Sequence, residues 1–432
     1  MIILATRAAH LELSPTATVR HCLVLRLFSF MVPPSAPSLA WSQRQRWRWP
    51  YWYLVPIYPY GQRRTLRQTL VADWLWSFEQ LQGIFYVVVP IRMTVVRLAS
   101  GGLWIYAPVA PTPECLTLLG ELVEKYGPVK YIVQPTLSGL EHKVFVAPLA
   151  RHCPQAQIYL APGQWSFPLN LPLSWLGFPP QRTHFLPADA SQAPFAQEFD
   201  YQILGPLDLR LGQFGEVAFF HRPTQSLLLT DLLVSLPATP PPIATLDPYP
   251  LLFHARDSAQ EEPQDTPANR ERGWQRVCLF ALYFQPSSLN IASWPRVWQE
   301  ASGVSQRRGQ NYFGLYPFRW QWNWQNSFEQ LRGAGRPFVA PILRQLILNR
   351  EPQQVLRWAD QISLWPIRQI ISAHFDAPIP LDRQQFRQCF AFLEPEPSPE
   401  AFPLPRDDLK SLEAIDRILV FSRLVPPPHK SS

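Results

Sequence analysis

The sequence predicts an α/β protein with mixed sheets, and three observations carry that expectation. Apolar runs turned by Gly101-Gly102 are followed by a capped helical stretch and another apolar run, which is a hairpin leading into a βαβ crossover. A second group of strand patterns lies between 201 and 233. Finally, 432 residues at 47% hydrophobic content suffice for a full core, which excludes disorder of the whole chain. With 16% charged residues and 49 Pro, long irregular connections should join the elements.

Residues 1 to about 68 show no sustained period. The body opens near Trp74: 76–83 reads as a short amphipathic turn, and 84–89, 93–98 and 103–107 as strands, the last two joined at Gly101-Gly102. Thr112 before Pro113 is an N-cap with Pro at the first helical position. Cys115, Leu116, Leu118, Leu119, Leu122 and Val123 form that helix's apolar face, and Gly127 ends it. A strand starts at Val129, a helix follows to Cys153, and 157–160 is a further strand. The Pro- and Trp-rich stretch 161–180 reads as a packed cover. Strands are expected near 201–204, 217–221 and 227–230, whereas 234–275 reads as a partly flexible surface excursion. Leu and Ile at helical spacing mark 337–349 and 352–363; 366–372 is a strand, 381–393 a helix and 407–423 a terminal amphipathic helix. The expected division is an N-terminal arm, 1–71; the α/β domain, 72–393; and a linker with the terminal helix, 394–432.

Chemistry is expected to start in 129–146. There a buried-strand pattern feeds a Pro135-Thr136 break and a Ser138-Gly139 loop, which presents Glu141 beside His142. Further on, the strand at 227–230 delivers Asp231 at its end, and His374 sits just past the strand at 366–372.

In this order of elements the chain resembles the metallo-β-lactamase superfamily. Members carry THxHxDH at the turn, and here it reads Thr136-Leu137-Ser138-Gly139-Leu140-Glu141-His142. Leu137 and Gly139 replace two histidines, and Glu141 replaces the Asp. A third histidine of the same metal site would fall near Gly212 and is absent. The resemblance implies an αββα sandwich that retains one set of four donors, Glu141, His142, Asp231 and His374. Such oxygen and nitrogen donors suit one Zn, Fe or Mn ion, the other outcome being an empty relic site. An occupied site implies a single-metal hydrolase of an ester-, thioester- or lactone-like bond. Asp231, His374 and His142 would then hold the ion, with Glu141 as ligand or general base. Four protein ligands would close a tetrahedral shell, which is the habit of structural zinc. The alternative is a non-catalytic binding or assembly factor that uses 161–180 and the aromatic arm as contact surfaces.

More closely, residues 72 to about 300 are similar to domain-of-unknown-function family 4336 of cyanobacteria and chloroplasts. The runs APGQWSFPLNLPLSWLGFP and LLFHARD carry that likeness, together with the strand-rich stretch from Trp76 to Leu116. It implies a cytoplasmic protein, or a stromal one in a plant, and no particular activity.

The net charge of +7 is uneven. Residues 1–70 hold nine Arg and one acid, Glu12, while the remaining 362 residues hold 30 basic and 31 acidic groups. Nucleic-acid or membrane-surface contact would therefore rest on the arm, whose 44–53 segment reads RQRWRWPYWY; an arm that packs its aromatics on the body is the plainer expectation. An acid-poor start also suits an organellar transit peptide, or a frame beginning at Met31. Five Cys without a CxxC pair point to a reducing compartment, no run matches a membrane-spanning helix, and no secretory cleavage pattern is evident. The small-molecule or protein partner and the oligomeric state are not written in the sequence. His221 reads as a surface or core histidine, and His254, Arg256 and Asp257 as a hydrogen-bonded structural cluster. There is no nucleophile elbow, phosphate loop or dinucleotide fingerprint.

Overall fold

The computed structural model describes residues 41–429 except 55, 167–169, 211 and 397–401. The expectations on a leader segment, Met31 and Cys22 lie outside the described residues. Seven strands form the first sheet in sequence order: β1 (Leu66–Val71), β2 (Leu75–Ile84), β3 (Val87–Arg97), β4 (Leu103–Tyr106), β5 (Val129–Gln134), β6 (Gln157–Leu160) and β7 (Thr183–Phe185). Its first four strands pair antiparallel and its last four parallel. The second sheet takes β8 (Phe199–Asp208), β9 (Gln213–His221), β10 (Ser226–Leu229), β13 (Gln369–Ser372) and β14 (Ile379–Pro380) in the order β14-β13-β10-β9-β8. A separate hairpin joins β11 (Leu289–Ile291) to β12 (Phe318–Trp320).

The two sheets face one another across an aromatic-rich core in which Trp104 stacks on Phe199 at 4.3 Å between ring centroids. Helices α1 (Pro113–Tyr126) and α2 (Leu140–His152) cover the outer face of the first sheet through Cys115, Leu119, Leu122, Phe145 and Leu149. On the outer face of the second sheet, α4 (Pro352–Ile362) packs on β8 and buries Val355 and Trp358, and α3 (Pro267–Tyr283) lies against β3 and adds Trp274 and Leu279 to the same core. The layer order is therefore αββα, with mixed sheets as expected. Helix α1 follows its sequence signals closely: the Thr112 hydroxyl accepts from the Cys115 N–H at 3.2 Å, and Gly127 closes the helix at φ 99°.

Several segments differ from expectation; the helix expected over 381–393, for one, is Arg383–Gln388 followed by a 3-10 turn, Ala391–Leu393. Residues 76–83 are not an amphipathic turn but most of β2, because both faces of that strand are buried. Its polar residues Glu79, Gln80 and Gln82 find partners inside the protein and so mimic a helical spacing in the sequence. The β2–β3 turn falls at Phe85-Tyr86, both left-handed (φ 51° and 62°), where no turn residue announces it. Gly83 permits that turn, since a Cβ there would stand 1.9 Å from the Val87 carbonyl oxygen. Residues 234–275 are not a loose excursion: Leu236, Ile243, Leu251 and Trp274 are buried in the core under the second sheet. The helix expected over 337–349 is broken into Pro341–Leu346 and a short 3-10 turn, Leu348–Arg350.

The arm's aromatics pack on the body. Trp49 is buried edge-on to Phe145 of α2 at 5.2 Å, the Trp47 indole donates to Glu114, and Arg151 donates to the Tyr51 hydroxyl at 2.8 Å. Cys115, Cys153, Cys278 and Cys389 are free thiols. Among the described residues no helix is long and apolar enough to cross a membrane.

Candidate metal centre

Strand register explains why residues far apart in sequence meet at one sheet edge. Strands β10 and β13 run parallel with Leu229 opposite Ser372, so the positions two residues beyond, Asp231 and His374, emerge side by side. Glu141 arrives from the other sheet. The loop after β5 is tied to β9 by hydrogen bonds from Val217 N–H to the Pro135 carbonyl (2.8 Å) and from Leu137 N–H to the Gly215 carbonyl (3.1 Å). Helix α2 then starts at Leu140 and points Glu141 inward from its first turn.

Nε2 of His374 lies 3.0 Å from Oδ1 of Asp231 and 3.4 Å from Oε1 of Glu141. One donor atom from each of the three residues falls within 4.8 Å of the others. Ligands around one tetrahedral ion at bonds of about 2.0–2.2 Å stand roughly 3.3 Å apart, which the two distances to His374 match, so the three residues could hold a metal ion. Asp231 Oδ1 is buried, and its close polar neighbour is His374 Nε2. His142 is not in this group. Its ring lies 6.3 Å from that of His374, its Nδ1 contacts the Pro108 carbonyl oxygen at 2.9 Å, and its Nε2 is buried without a partner. The four residues singled out in the sequence are thus three convergent donors and one adjacent imidazole.

The electrostatics follow from burial and from charge at close range. Burial alone would lower the His374 pKa, but the Glu141 and Asp231 carboxylates outweigh it and push it up to about 10. Burial likewise opposes the charge on Glu141, yet the His374 cation holds that carboxyl below its usual range. His142 is shifted down, chiefly by burial. Without an ion the triad is an imidazolium between two carboxylates, and a metal would have to displace its proton.

The supporting residues were not legible in the sequence. Arg92 of β3 is almost wholly buried. It pairs with Glu79 (Nη2 to Oε1, 2.8 Å) and donates to the carbonyls of Ser372 and Phe375 on either side of His374. Pro90 of the same strand fixes the imidazole, its carbonyl oxygen lying 3.0 Å from Nδ1. Gln82 donates to Glu141 Oε2 at 2.5 Å. Glu216 of β9, fully buried, accepts from the N–H groups of Thr230, Asp231 and Leu232 and so shapes the loop that carries Asp231. Burial and the Asp231 charge raise the Glu216 pKa to about 7 against those three donors. The sequence directs attention to Gly212 in this stretch, but the acid that faces inward is four residues on. Where the resemblance places the first of the replaced histidines, Leu137 is buried against Gly215; a Cβ on that glycine would come within 2.7 Å of the leucine's Cδ1. That half of the site is filled with apolar packing.

This is the αββα sandwich that the resemblance implies, with acid and imidazole groups at one edge of its sheets. The chain belongs to the family described as Domain of unknown function (DUF4336), whose model matches residues 72–392. Among solved structures it is similar to a metal-soaked Flv1 flavodiiron core from Synechocystis sp. PCC6803, at 9% identity and a TM-score of 0.38, over 77% of this chain and 61% of that one. It is also similar to a metallo-beta-lactamase from Pontibacter korlensis, at 12% identity and a TM-score of 0.28, over 40% of this chain and 74% of that one. A flavoprotein from Thermotoga maritima gives 8% identity and a TM-score of 0.38, over 78% and 64% of the two chains. No curated protein sequence matches.

Proposed function

We propose that Glu141, Asp231 and His374 hold one divalent transition-metal ion and that the protein hydrolyses an ester-, thioester- or lactone-like bond. The observation that carries this reading is the convergence of three protein donors, with the fourth sequence candidate standing outside their group. Three ligands leave a coordination position open, the arrangement of hydrolytic rather than structural zinc. Such an ion supplies Lewis acidity to a carbonyl oxygen and makes water easier to deprotonate. His142 Nε2 is the atom that takes the water proton, since Nδ1 is occupied by the Pro108 carbonyl and Nε2 has no partner. Glu216 and Arg92 hold the Asp231 and His374 loops, so that neither donor has to be ordered when the ion arrives.

Elemental analysis of the purified full chain tests the first half: about one transition metal per chain, lost in Asp231→Asn and in His374→Gln. Hydrolysis of a panel of aryl esters, thioesters and lactones, abolished in those variants and in His142→Ala, tests the second. Metal-free wild-type protein refutes both. A second reading is favoured by the charge balance of the triad itself, in which the His374 cation already satisfies Glu141 and Asp231. In that reading the residues are a structural ion cluster in a non-catalytic binding or assembly protein. It predicts metal-free protein that His374→Gln destabilises.

A further inference from the structure

Residues 286–328 contain five Trp and four Arg but a single acid, Glu300. This segment builds the β11–β12 hairpin and, between its strands, the nine-residue helix Trp294–Ser302. Val297 and Ala301 anchor the helix, whereas Trp294 and Trp298, one turn apart, are 57% and 60% exposed. Ile291, at the end of β11, is also exposed, and Trp322, two residues past β12, is 90% exposed. Isolated exposed apolar residues need no explanation, but three tryptophans from one short substructure do. The other two, Trp320 and Trp324, lie under the Arg276 guanidinium, so the segment does contain tryptophans that serve packing.

The charge distribution selects the occupant. Glu300 is neutralised within the segment by Arg296, at 2.9 Å, and by Arg319. Arg307 and Arg308 are exposed, and neither forms an ion pair with a carboxylate among the described residues; Arg307 donates to the uncharged Ser302 carbonyl. Exposed indoles beside unneutralised guanidinium groups match the headgroup layer of an anionic bilayer, where the rings lie at the boundary and the cations meet lipid phosphates. A peptide partner would want a cleft. Clefts of about 280 and 250 Å³ among the described residues are lined by Gln164, Trp165, Arg210 and Gln213 and by Lys130, Tyr131 and Gln157, none of them in this segment.

We propose that the surface carrying Ile291, Trp294, Trp298, Trp322, Arg307 and Arg308 docks the protein on an anionic lipid bilayer. The interaction is peripheral and shallow, and it does not use the arm, whose aromatics are packed on the body. It is independent of the metal reading.

Co-sedimentation of the full chain tests it, with vesicles of phosphatidylcholine alone and of phosphatidylcholine mixed with phosphatidylglycerol. The wild type should pellet with the mixed vesicles and be released by high salt. Replacing both Arg307 and Arg308 with Gln should weaken partition about thirtyfold, from roughly fivefold per cation at the surface. The pair Trp294→Ser and Trp298→Ser should weaken it further and also reduce residual binding in high salt. Trp175→Ser removes an equally exposed tryptophan outside the segment and should leave binding unchanged. Circular dichroism establishes that each variant is folded. The proposal is overturned if the wild type ignores mixed vesicles, or if the tryptophan pair has no effect while Gln at Arg44, Arg46 and Arg48 releases the protein. It is equally overturned if the tryptophans instead hold a dimer in lipid-free solution.

Discussion

Replacing Arg92 with Met is expected to cost about 6 kcal/mol of stability and to loosen the His374 loop. Both members of the Arg92–Glu79 pair are buried, at 2% and 3% side-chain exposure, so removing the cation leaves an uncompensated charge, a change worth about 3–5 kcal/mol. It also strips donors from the Ser372 and Phe375 carbonyls, each costing about 1 kcal/mol unless water enters. Glu79→Met together with Arg92→Met removes the orphaned charge and should recover roughly two thirds of the loss, because the two carbonyls stay unpaired. Arg92→Lys keeps the charge without the fork and should be milder, about 1–2 kcal/mol. Urea denaturation of the wild type, Arg92→Met, Glu79→Met and the double variant gives the double-mutant cycle. A second readout is metal content. If the triad binds an ion, Arg92→Lys should weaken retention about 10–100-fold while the protein stays folded. An unchanged urea midpoint in Arg92→Met would refute the claim that this pair holds the two sheets' loops together.

Further outcomes are expected elsewhere. His254 is fully buried, and burial lowers its pKa to about 3, with Arg256 and Arg276 adding to the shift. The unfolded chain takes up a proton near pH 6.5 that the folded chain refuses, so this histidine's stabilising term is present above that pH and falls as pH drops toward 3. Between pH 7 and 5 the loss is about 2 kcal/mol, and His254→Asn should reduce the wild type's fall in urea stability over that interval by that amount. Gly215→Ala drives a Cβ to 2.6 Å from the Leu204 carbonyl oxygen and 2.7 Å from Leu137, so it should lose about 1–3 kcal/mol by thermal denaturation. Leu137→Ala in the same chain should relieve only the side-chain part of that strain. Thr112→Ala removes the cap on the Cys115 N–H and should cost about 1 kcal/mol without touching metal content.

Much of the fold could be read because local signals sufficed. Thr112, Pro113 and Gly127 bracket α1 in the sequence as they do in the structure, and the Gly101-Gly102 turn opens β4. Asp231 and His374 were recognisable because each follows a short apolar strand, and strand ends in such folds lie at one edge. The β2 residues were misread because Glu79, Gln80 and Gln82 are polar for internal reasons, each answering a partner far away in sequence. The turn at Phe85-Tyr86 was invisible because tertiary packing, not turn chemistry, holds two aromatic residues left-handed. Tyr86 lies in a ring cluster with Tyr58, Tyr249 and Phe253.

The sequence by itself determined the run of strands and helices and set Asp231 and His374 just past strand ends, because hydrophobic period, caps and turns are properties of neighbouring residues, while the αββα layering came with the family resemblance. Only the tertiary structure decided that three of the four candidates converge, that His142 stands beside them with a free Nε2, and that Glu216 and Arg92 hold the loops. The reason is geometric. A strand's alternation says which face a residue takes, but the distance between Glu141 and His374, 233 positions apart, depends on the register of two sheets and on the buried charges that pin their edges.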